Sequence, residues 1–477
     1  MSVPVLVPSW PPVDPVWPVV VVGAGPAGLV AANSLARNGV RCLLVAKSAP
    51  STHPKATVAS LRTMELFRSW ALVEAIRAGG NDVEWRMLVA DTLADAGTGR
   101  AIDVGYPSIA RSAELSPTRP WAVPQDHLES VLLGAVRELP PARVELDEVV
   151  QDVRPGRHAV QLVVRNIGTG RLRTIAARYV IAADGAYSAV RSALGITAPT
   201  RSAPERTGTA VVHAPLWTVL GDRRFGLYLT ESPLPGIFLP AGREDRWLVG
   251  FEDPPRGPVL DPQRLAGLIR SAAGRPDLPV QVGAVKPFTF VAALADRFAA
   301  GRVYLVGDAA HRVTPRGGTG MNMAIAGAAN LAWKLSWVLR GWADESLLDT
   351  YEAERRPPAE HNVARSLDPL GSRRGADAEV PVDLAGRIPH RWVDGPAGRH
   401  STLDLVGPGL TRLVSMDDRP AGRRRGGGPP VSVRRLDPVT AALIGADRPG
   451  GLLVRPDGVP LDDRVHRSLA ARRAAVA

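Results

Sequence analysis

The chain of 477 residues contains a single cysteine, Cys42. One thiol cannot form an internal disulfide, and it excludes a metal centre built from several cysteines. No uninterrupted apolar run approaches the roughly 18 residues that a membrane-spanning helix requires. Residues 1–17 are rich in proline and carry no basic residue, which is not the pattern of a secretory signal and predicts a flexible leader. Together these absences predict a reduced, soluble, cytoplasmic protein without a membrane span.

Lysine is scarce as well. Only four of the 58 basic side chains are lysines, so the formal net charge of +11 comes mainly from arginine. Over half of this excess lies after residue 360. A basic balance is compatible with nucleic-acid binding, but no recognised binding motif accompanies it. We therefore expect no nucleic-acid partner, and an ordinary globular chain (45% hydrophobic, 22% charged) of two or three domains.

A buried strand at 19–22 runs directly into a glycine-rich turn, and a helical segment follows. The order strand, GxGxxG, helix is typical of a dinucleotide-binding βαβ unit. Gly23 permits the tight turn, Gly25 lets the backbone approach a pyrophosphate, and Gly28 lets helix and strand pack closely. The helix N-terminus adds unpaired N–H groups and a partial positive charge. The motif predicts a dinucleotide site formed by Gly23, Gly25, Pro26, Ala27 and Gly28.

Two further motifs follow buried strands later in the chain. Asp184-Gly185 comes after an apolar run at 179–182, and Gly307-Asp308 comes after a second run at 302–306. In open α/β sheets, ligands bind at the carboxyl ends of the strands. A glycine-rich loop at 315–322 then leads into a helix, whose N-terminus favours negative charge. The nucleotide-binding character therefore returns near the end of the chain.

The stretch between these motifs has a different pattern. Short strand-like runs between 207 and 290 are separated by proline, glycine and acidic turns. They predict a mainly antiparallel sheet inserted within the first domain. From about residue 366 the chain is rich in Pro, Gly and Arg, with strand-like patches at 402–405, 411–414 and 451–454. These patches predict a small third unit.

The three motifs, in this order and spacing, resemble the class A flavoprotein monooxygenases of the para-hydroxybenzoate hydroxylase fold. The resemblance covers about 18–365. The tail segments 387–392, 401–405 and 455–458 resemble the thioredoxin-like carboxy-terminal domain of the branch that oxidises aromatic polyketides.

The resemblance implies an α/β fold with a Rossmann-like FAD-binding domain, an inserted, mainly antiparallel substrate domain and a small thioredoxin-like domain. The implied boundaries place the FAD-binding domain at 18–200 and 296–365. The substrate-binding sheet takes 201–295, and a linker with the truncated carboxy-terminal domain takes 366–477.

The implied enzyme uses NAD(P)H and O2 to hydroxylate a phenolic, polyketide-type substrate through a flavin C4a-hydroperoxide. The flavin carries out the oxygen transfer, so no side chain is assigned a catalytic role, no metal is expected, and His311 is interpreted as scaffold. The implied contacts to FAD, beyond those of the first turn, are Lys47, Gln125, Asp184, Gly307, Asp308, Pro315, Gly317, Gly318, Thr319, Gly320, Met321 and Asn322. Candidate walls of the substrate site are Trp217, Phe225, Tyr228, Phe238 and Trp247.

Three positions depart from the family's pattern. Ala46, followed by Lys47, stands where relatives usually carry the acid that holds the adenosine ribose. Gly327 replaces a common Asp, and residues 55–58 lack the usual Arg/Gly pattern. These departures leave open the alternative of a flavin-fold protein without redox activity. The resemblance itself leaves open Baeyer–Villiger oxygenation of a polyketide ketone, because the family contains both outcomes. The chain is expected to be a monomer or a homodimer.

Replacing Ala46 by Glu restores an acid at the end of the second strand. A charged acceptor for a ribose hydroxyl contributes about 1.5–3 kcal/mol, so FAD should bind about 10- to 100-fold more tightly. Fluorescence titration of the apoprotein with FAD measures this, and Ala46→Gln is the uncharged control of similar size. Equal affinities of wild type and Ala46→Glu would mean that Lys47 or another group already makes the contact.

Overall fold

The structure is a computed structural model that describes residues 16–252, 261–395, 398–418, 428–462 and 465–469. Most of the expected leader and the arginine run at 423–425 lie outside these residues. The helices are α1 Pro26–Arg37, α2 Leu61–Ser69, α3 Val73–Arg77, α4 Ile109–Leu115, α5 Gln125–Arg137, α6 Ala189–Ala193, α7 Trp217–Leu220, α8 Pro262–Ala272, α9 Gly320–Leu339, α10 Thr350–Leu367, α11 Ala376–Leu384 and α12 Pro438–Leu443. The strands are β1 Trp17–Val22, β2 Cys42–Val45, β3 Val58–Ala59, β4 Glu84–Ala90, β5 Arg100–Asp103, β6 Trp121–Ala122, β7 Ala142–Glu145, β8 Glu148–Pro155, β9 Val160–Asn166, β10 Leu172–Ala182, β11 Glu205–His213, β12 Phe225–Thr230, β13 Gly236–Pro240, β14 Arg246–Glu252, β15 Gln281–Val282, β16 Lys286–Phe290, β17 Ala293–Leu294, β18 Ala299–Ala300, β19 Val303–Leu305, β20 His311–Arg312, β21 Trp392–Gly395, β22 Gly398–Ser401, β23 Leu410–Ser415, β24 Val431–Leu436 and β25 Leu452–Val454.

The first sheet has the strand order β18-β19-β10-β1-β2-β7, and its central pairs are parallel. β1 lies between β10 and β2, so its residues 19–22 are buried on both faces, as the uninterrupted valines predict. The first half of β10 pairs instead with β9, which pairs with β8. The Rossmann-like character expected from the first motif is confirmed.

The second sheet has the order β15-β11-β14-β13-β12-β4-β5, with β16 also paired to β11. It is mainly antiparallel, as expected, and α8 packs in the same apolar cluster. The sequence pattern did not predict that β4 and β5, from residues 84–103, complete this sheet. β4 pairs in parallel with β12, more than 130 residues further along, and no local pattern announces such a pairing.

The carboxy-terminal unit contains a three-stranded sheet of order β24-β23-β25, with α12 and its own apolar core. The expected strands near 411–414 and 451–454 are present as β23 and β25. The expectation of a strand at 402–405 is wrong, because this segment is a 3-10 helix. Ser401 and Asp404 form a reciprocal capping box there, which fixes a helical turn. The thioredoxin-like assignment of this unit stays a prediction.

A buried ion pair joins this unit to the first domain. Arg387 donates to both carboxylate oxygens of Glu65 in α2, at 3.0 and 2.6 Å, and both side chains are 3% exposed. Burial alone would raise the pKa of Glu65, but Arg387 and Arg62 hold it below its ordinary value. Since removing one member of a buried pair leaves the other charge uncompensated, this contact is a sensitive point of the fold.

Glu65→Gln should therefore destabilise the protein by about 3–5 kcal/mol at neutral pH. A carboxylate whose pKa is depressed by folding stabilises above its unfolded pKa and loses that contribution as the pH falls through its folded pKa. The stability difference between wild type and variant should thus shrink below about pH 4.5. Urea denaturation at several pH values measures this. Glu74→Gln, whose carboxylate is 88% exposed beside Arg77, is the control and should change stability by less than about 0.5 kcal/mol.

Candidate functional site

The turn at 23–28 has the geometry that its glycines predict. Gly23 has a φ of +107°, and a Cβ there would lie 2.3 Å from the carbonyl oxygen of Ala183. A Cβ at Gly28 would lie 1.9 Å from the carbonyl oxygen of Gly23. A Cβ at Gly25 would meet nothing within 4 Å, so this residue faces open space. The turn is thus packed on one side and open on the other, where Pro26 begins α1.

The three motifs meet at one edge of the parallel sheet. Val22 pairs with Ala182, and Ala182 pairs with Leu305, so the turn, Asp184 and Asp308 follow adjacent strand ends. Gly307 has a φ of +59°, and a Cβ there would lie 3.2 Å from the Cβ atoms of Ala27 in α1 and Ala324 in α9. The first turns of both helices therefore border the segment that carries Asp308.

Asp308 lies in a cleft. Its side chain is exposed to solvent, yet desolvation by the surrounding protein raises its pKa, against the opposing charges of Arg312 and Lys55. An accessible carboxylate enclosed by protein atoms suits a ligand that donates hydroxyl hydrogen bonds and occupies the cleft. Lys55, which the sequence reasoning passed over as a binding residue, is the basic group on the loop facing this carboxylate.

Asp184 has a local role in the structure. Its carboxylate accepts hydrogen bonds from the Ser188 hydroxyl at 2.5 Å and from the backbone N–H of Val190 at 3.0 Å. It thereby fixes the first turn of α6, after Gly185 with a φ of +84°. Arg191 of the same helix donates to the Ala309 carbonyl at 3.0 Å. The Asp184 turn is consequently tied to the segment that carries Asp308.

The loop before α9 contains two glycines with positive φ, Gly317 at +88° and Gly318 at +65°. Thr319 is the N-cap of α9 but makes no capping hydrogen bond, and its buried hydroxyl has no partner among the described residues. Asn322 accepts from the Ser60 backbone N–H at 2.9 Å and donates to the Val58 carbonyl at 3.2 Å. Pro315 is exposed, Gly320 begins α9, and Met321 is buried. An unpaired hydroxyl beside free helical N–H groups fits an acceptor-rich ligand.

The strand end at Ala46 lacks an acid, as the sequence indicates, and Ala46 is buried while Lys47 is exposed. The acids on neighbouring backbone are engaged: Glu145 pairs with Arg143 at 2.6 Å and also with Arg173. Gln125 begins α5, as expected, and its amide donates to Glu129 at 2.7 Å. Burial raises the pKa of Glu129, a carboxyl group that the sequence reasoning missed.

Three of the five expected aromatic walls pack in the apolar core on one face of the second sheet. Tyr228, Phe238 and Trp247 are at most 1% exposed and belong to the apolar cluster that includes α8. Phe225 lies at the margin of that cluster, and Trp217 of α7 packs against both this cluster and the one around Trp85, with its ring centroid 4.6 Å from that of Trp247. Side chains alternate between the faces of a sheet, and Tyr228, Phe238 and Trp247 occupy the face turned toward α8.

The opposite face of this sheet is turned toward the loop. Leu227 and Leu229 pair with Met87 and Val89, and they share an apolar cluster with Trp85 and Tyr106. The Tyr106 hydroxyl donates to the Gly318 carbonyl at 3.0 Å. On the same face, Thr209 lies 3.0 Å from the ring of His53. The alternation of side chains along β4 and β12 shows that Met87, Val89, Leu227 and Leu229 share a face. It does not show whether that face is turned toward the loop or toward α8.

Two potential reactive groups are inert. Cys42 is fully buried, and burial raises the pKa of its thiol to about 12. His311 is buried, and desolvation with the charge of Arg355 lowers its pKa to about 4, so the ring is neutral at pH 7.

Among the described residues no metal-ligand cluster occurs, and no described helix is long and apolar enough to cross a membrane. The site consists of an open nucleotide turn, an exposed carboxylate and a glycine loop, which together define a dinucleotide-binding protein.

Comparison with known proteins agrees with this geometry. A family model described as an FAD-binding domain matches residues 17–366. The tetracenomycin B2 monooxygenase-dioxygenase of Streptomyces olivaceus is 35% identical, over 92% of this chain and 94% of its own. The aklavinone 12-hydroxylase DnrF of Streptomyces peucetius is 32% identical, over 87% of this chain and 94% of its own. The chain belongs to the FAD-dependent monooxygenases of this FAD-binding family.

Solved structures agree along almost the whole chain. The flavin-dependent monooxygenase PieE in complex with FAD and substrate superimposes with a TM-score of 0.83 at 26% identity, covering 97% of this chain and 99% of its own. A ternary complex of aklavinone-11 hydroxylase with FAD and aklavinone gives a TM-score of 0.81 at 28% identity, covering 96% and 99%. The family, fold class and FAD cofactor that the three motifs imply are confirmed.

Asp308→Ala should weaken FAD binding about 10- to 100-fold, because a charge-assisted hydrogen bond contributes about 1.5–3 kcal/mol. The flavin-to-protein ratio after gel filtration and the dissociation constant of the apoprotein both measure this. Asp222→Ala removes an exposed carboxylate on the turn between α7 and β12 and serves as the control. Unchanged flavin content in Asp308→Ala would exclude the carboxylate as a ligand of the cofactor.

Proposed function

We propose that this monooxygenase hydroxylates a phenolic ring of an aromatic polyketide, with NAD(P)H as reductant and O2 as co-substrate. The observation that carries the proposal is the match, over more than nine-tenths of both chains, to a relative named as a tetracenomycin monooxygenase. The named aklavinone hydroxylases point to the same class of fused, hydroxylated aromatic substrate. The apolar sheet face beside the glycine loop suits a large planar ring system.

In this proposal, FAD lies along the edge where the three strand ends meet. The turn at Gly23, Gly25, Pro26, Ala27 and Gly28 receives the pyrophosphate, and Asp308 accepts from the ribityl hydroxyls. The loop of Pro315, Gly317, Gly318, Thr319 and Gly320, with Met321 and Asn322 at the start of α9, holds the flavin ring. Gln125 and Lys47 lie toward the adenosine half. When bound, FAD supplies the activation of O2 and the transfer of one oxygen atom.

The residues of this chain position the ligands, exclude water from the site and supply electrostatic stabilisation. The N-terminus of α9 presents a partial positive charge, which stabilises negative charge on a reduced cofactor. The Thr319 hydroxyl, which has no partner among the described residues, lies at the start of the same helix. Trp85, Met87 and Leu229 exclude water from the substrate side, and a dry site strengthens each electrostatic interaction within it. Tyr106 holds the loop in place through Gly318.

NAD(P)H is proposed to approach near Asp184-Gly185. The Asp184 carboxylate is engaged in its own turn, so its contribution is to shape the backbone at Gly185 rather than to contact the nucleotide.

The expected domain boundaries are proposed with one addition: β4 and β5 serve the substrate sheet at 201–295. A cytoplasmic monomer or homodimer completes the proposal.

The test is turnover of holoenzyme with a panel of polyphenolic polyketides, NADH or NADPH, and 18O2. The expected result is substrate-stimulated NAD(P)H oxidation with one 18O atom in a new ring hydroxyl. Holoenzyme without substrate and substrate without enzyme are the controls. A labelled lactone would instead establish the Baeyer–Villiger alternative. A colourless protein that neither binds FAD nor oxidises NAD(P)H would establish the alternative without redox activity.

A further inference from the structure

A second cavity lies away from the proposed flavin edge, between the first domain and the carboxy-terminal unit. Its volume is about 640 Å3, within the range of small-molecule sites. Helices α1, α2, α9 and α10 line it together with residues 403–408 and 455–462. Its walls include neither the turn at 23–28 nor Asp308. The proposed function assigns no role to this space.

Of the acidic side chains that line this cavity, all but Asp383 bind a basic side chain. Arg455 binds Glu354 at 2.9 Å, Asp457 at 2.6 Å and Asp462 at 3.2 Å. Arg68 binds Asp404 through two hydrogen bonds of 2.8 and 2.9 Å. Glu65 is held by Arg387 and Arg62. Asp383 accepts from the Ser60 hydroxyl at 2.7 Å and from the Arg62 backbone N–H at 3.1 Å.

Arg355 differs from these arginines. It lines the cavity, but no ion pair or hydrogen bond joins it to another described residue, and its Nε is buried without a partner. The acids whose charges act on it, Glu354 and Asp457, are both bound by Arg455. Burial lowers the pKa of Arg355, which means that its charge is poorly compensated. A guanidinium carries five N–H donors, so such a group is prepared to bind an oxyanion.

The adjacent arginine shows what a structural role looks like in the same helix. Arg356 donates to Glu352 at 2.5 Å and to the carbonyl oxygens of Ala295 and Asp296 at 3.0 Å each. Its guanidinium also lies 4.5 Å from the centre of the Phe298 ring. Arg355 has no corresponding partners in the described part of the chain.

The cavity has an apolar side as well. Small residues of α9, Ala326 and Ala329, leave room opposite α10, and Ile325 and Pro358 extend this wall. Asn330 of the same helix also lines the cavity and has a buried side-chain oxygen without a partner among the described residues. An unpaired donor group, an unpaired acceptor and an aliphatic wall thus border one space.

We propose that this cavity is a second binding site for a small organic anion, whose carboxylate or phosphate binds Arg355 while its apolar body lies against Ala326 and Ala329. The ligand bridges the first domain and the carboxy-terminal unit, since both line the cavity. Arg355 and Ala326 also line a smaller cavity that is bordered by Tyr106 and Thr319, so the proposed site adjoins the loop that the proposed function assigns to FAD.

The first test is calorimetric titration of the holoenzyme with benzoate, phenyl phosphate, inorganic phosphate and benzyl alcohol. We expect benzoate or phenyl phosphate to bind at least about tenfold more tightly than benzyl alcohol, and the better of the two identifies the anion. Arg355→Gln should weaken that binding at least about tenfold. Ala329→Leu should weaken it too, by filling the cavity while leaving Arg355 in place. Binding that survives both substitutions, or no binding of either organic anion, would overturn the proposal. So would binding of inorganic phosphate alone.

The second test separates a binding role from a structural one. Since Arg355 has no partner among the described residues, Arg355→Gln should leave the melting temperature of the holoenzyme unchanged or raise it. Arg356→Gln is the matched control at the next position, and it should lower the melting temperature because it breaks an ion pair and two carbonyl contacts. The organic anion should raise the melting temperature of wild type but not of Arg355→Gln. A clear loss of stability in ligand-free Arg355→Gln would make Arg355 a structural residue.

Discussion

The parallel pairing of β10 with β1 on one side and β19 on the other is the constraint on which the rest of the site depends. These registers bring three chain segments, separated by more than 100 residues each, to one edge of a sheet. The close approach of Gly23 to the Ala183 carbonyl is possible only because of that pairing and the missing Cβ. The cleft, the Asp184 turn and the glycine loop all follow from it.

The features that the sequence predicts well are those whose cause is local. An unbroken valine run, a glycine at each close approach and a helix after each turn identify the parallel sheet and its binding edge without distant information. The side-chain contacts of Asn322 and Asp184 are not evident from the sequence. In the structure, Asn322 forms hydrogen bonds with the backbone of Ser60 and Val58, and Asp184 forms them with Ser188 and Val190. Some side chains contact a ligand, and others hold in place the backbone that contacts it. Residue type alone does not distinguish the two.

Features that depend on strand pairing between segments far apart in the sequence are not evident from the sequence alone. The entry of β4 and β5 into the second sheet depends on β12. The orientation of that sheet decides which of its faces is turned toward the loop, the one with Tyr228 and Trp247 or the one with Leu229 and Trp85. The alternation of apolar residues in the sequence is compatible with both orientations. The arginine excess is a similar case, since Arg365, Arg387 and Arg455 are at most 8% exposed and bind acids or carbonyls inside the protein. These three arginines are paired inside the protein and add nothing to a basic surface.

Cys42 has a practical consequence. Its strand, β2, lies between β1 and β7, and its thiol lies against the Ala32 carbonyl of α1, 3.8 Å away, and holds its proton at any ordinary pH. Thiolates, not thiols, react with alkylating reagents. The native chain therefore behaves toward such reagents as if it had no cysteine. A spin label or fluorophore attached through one introduced cysteine would report from a single known position, without first removing a native thiol.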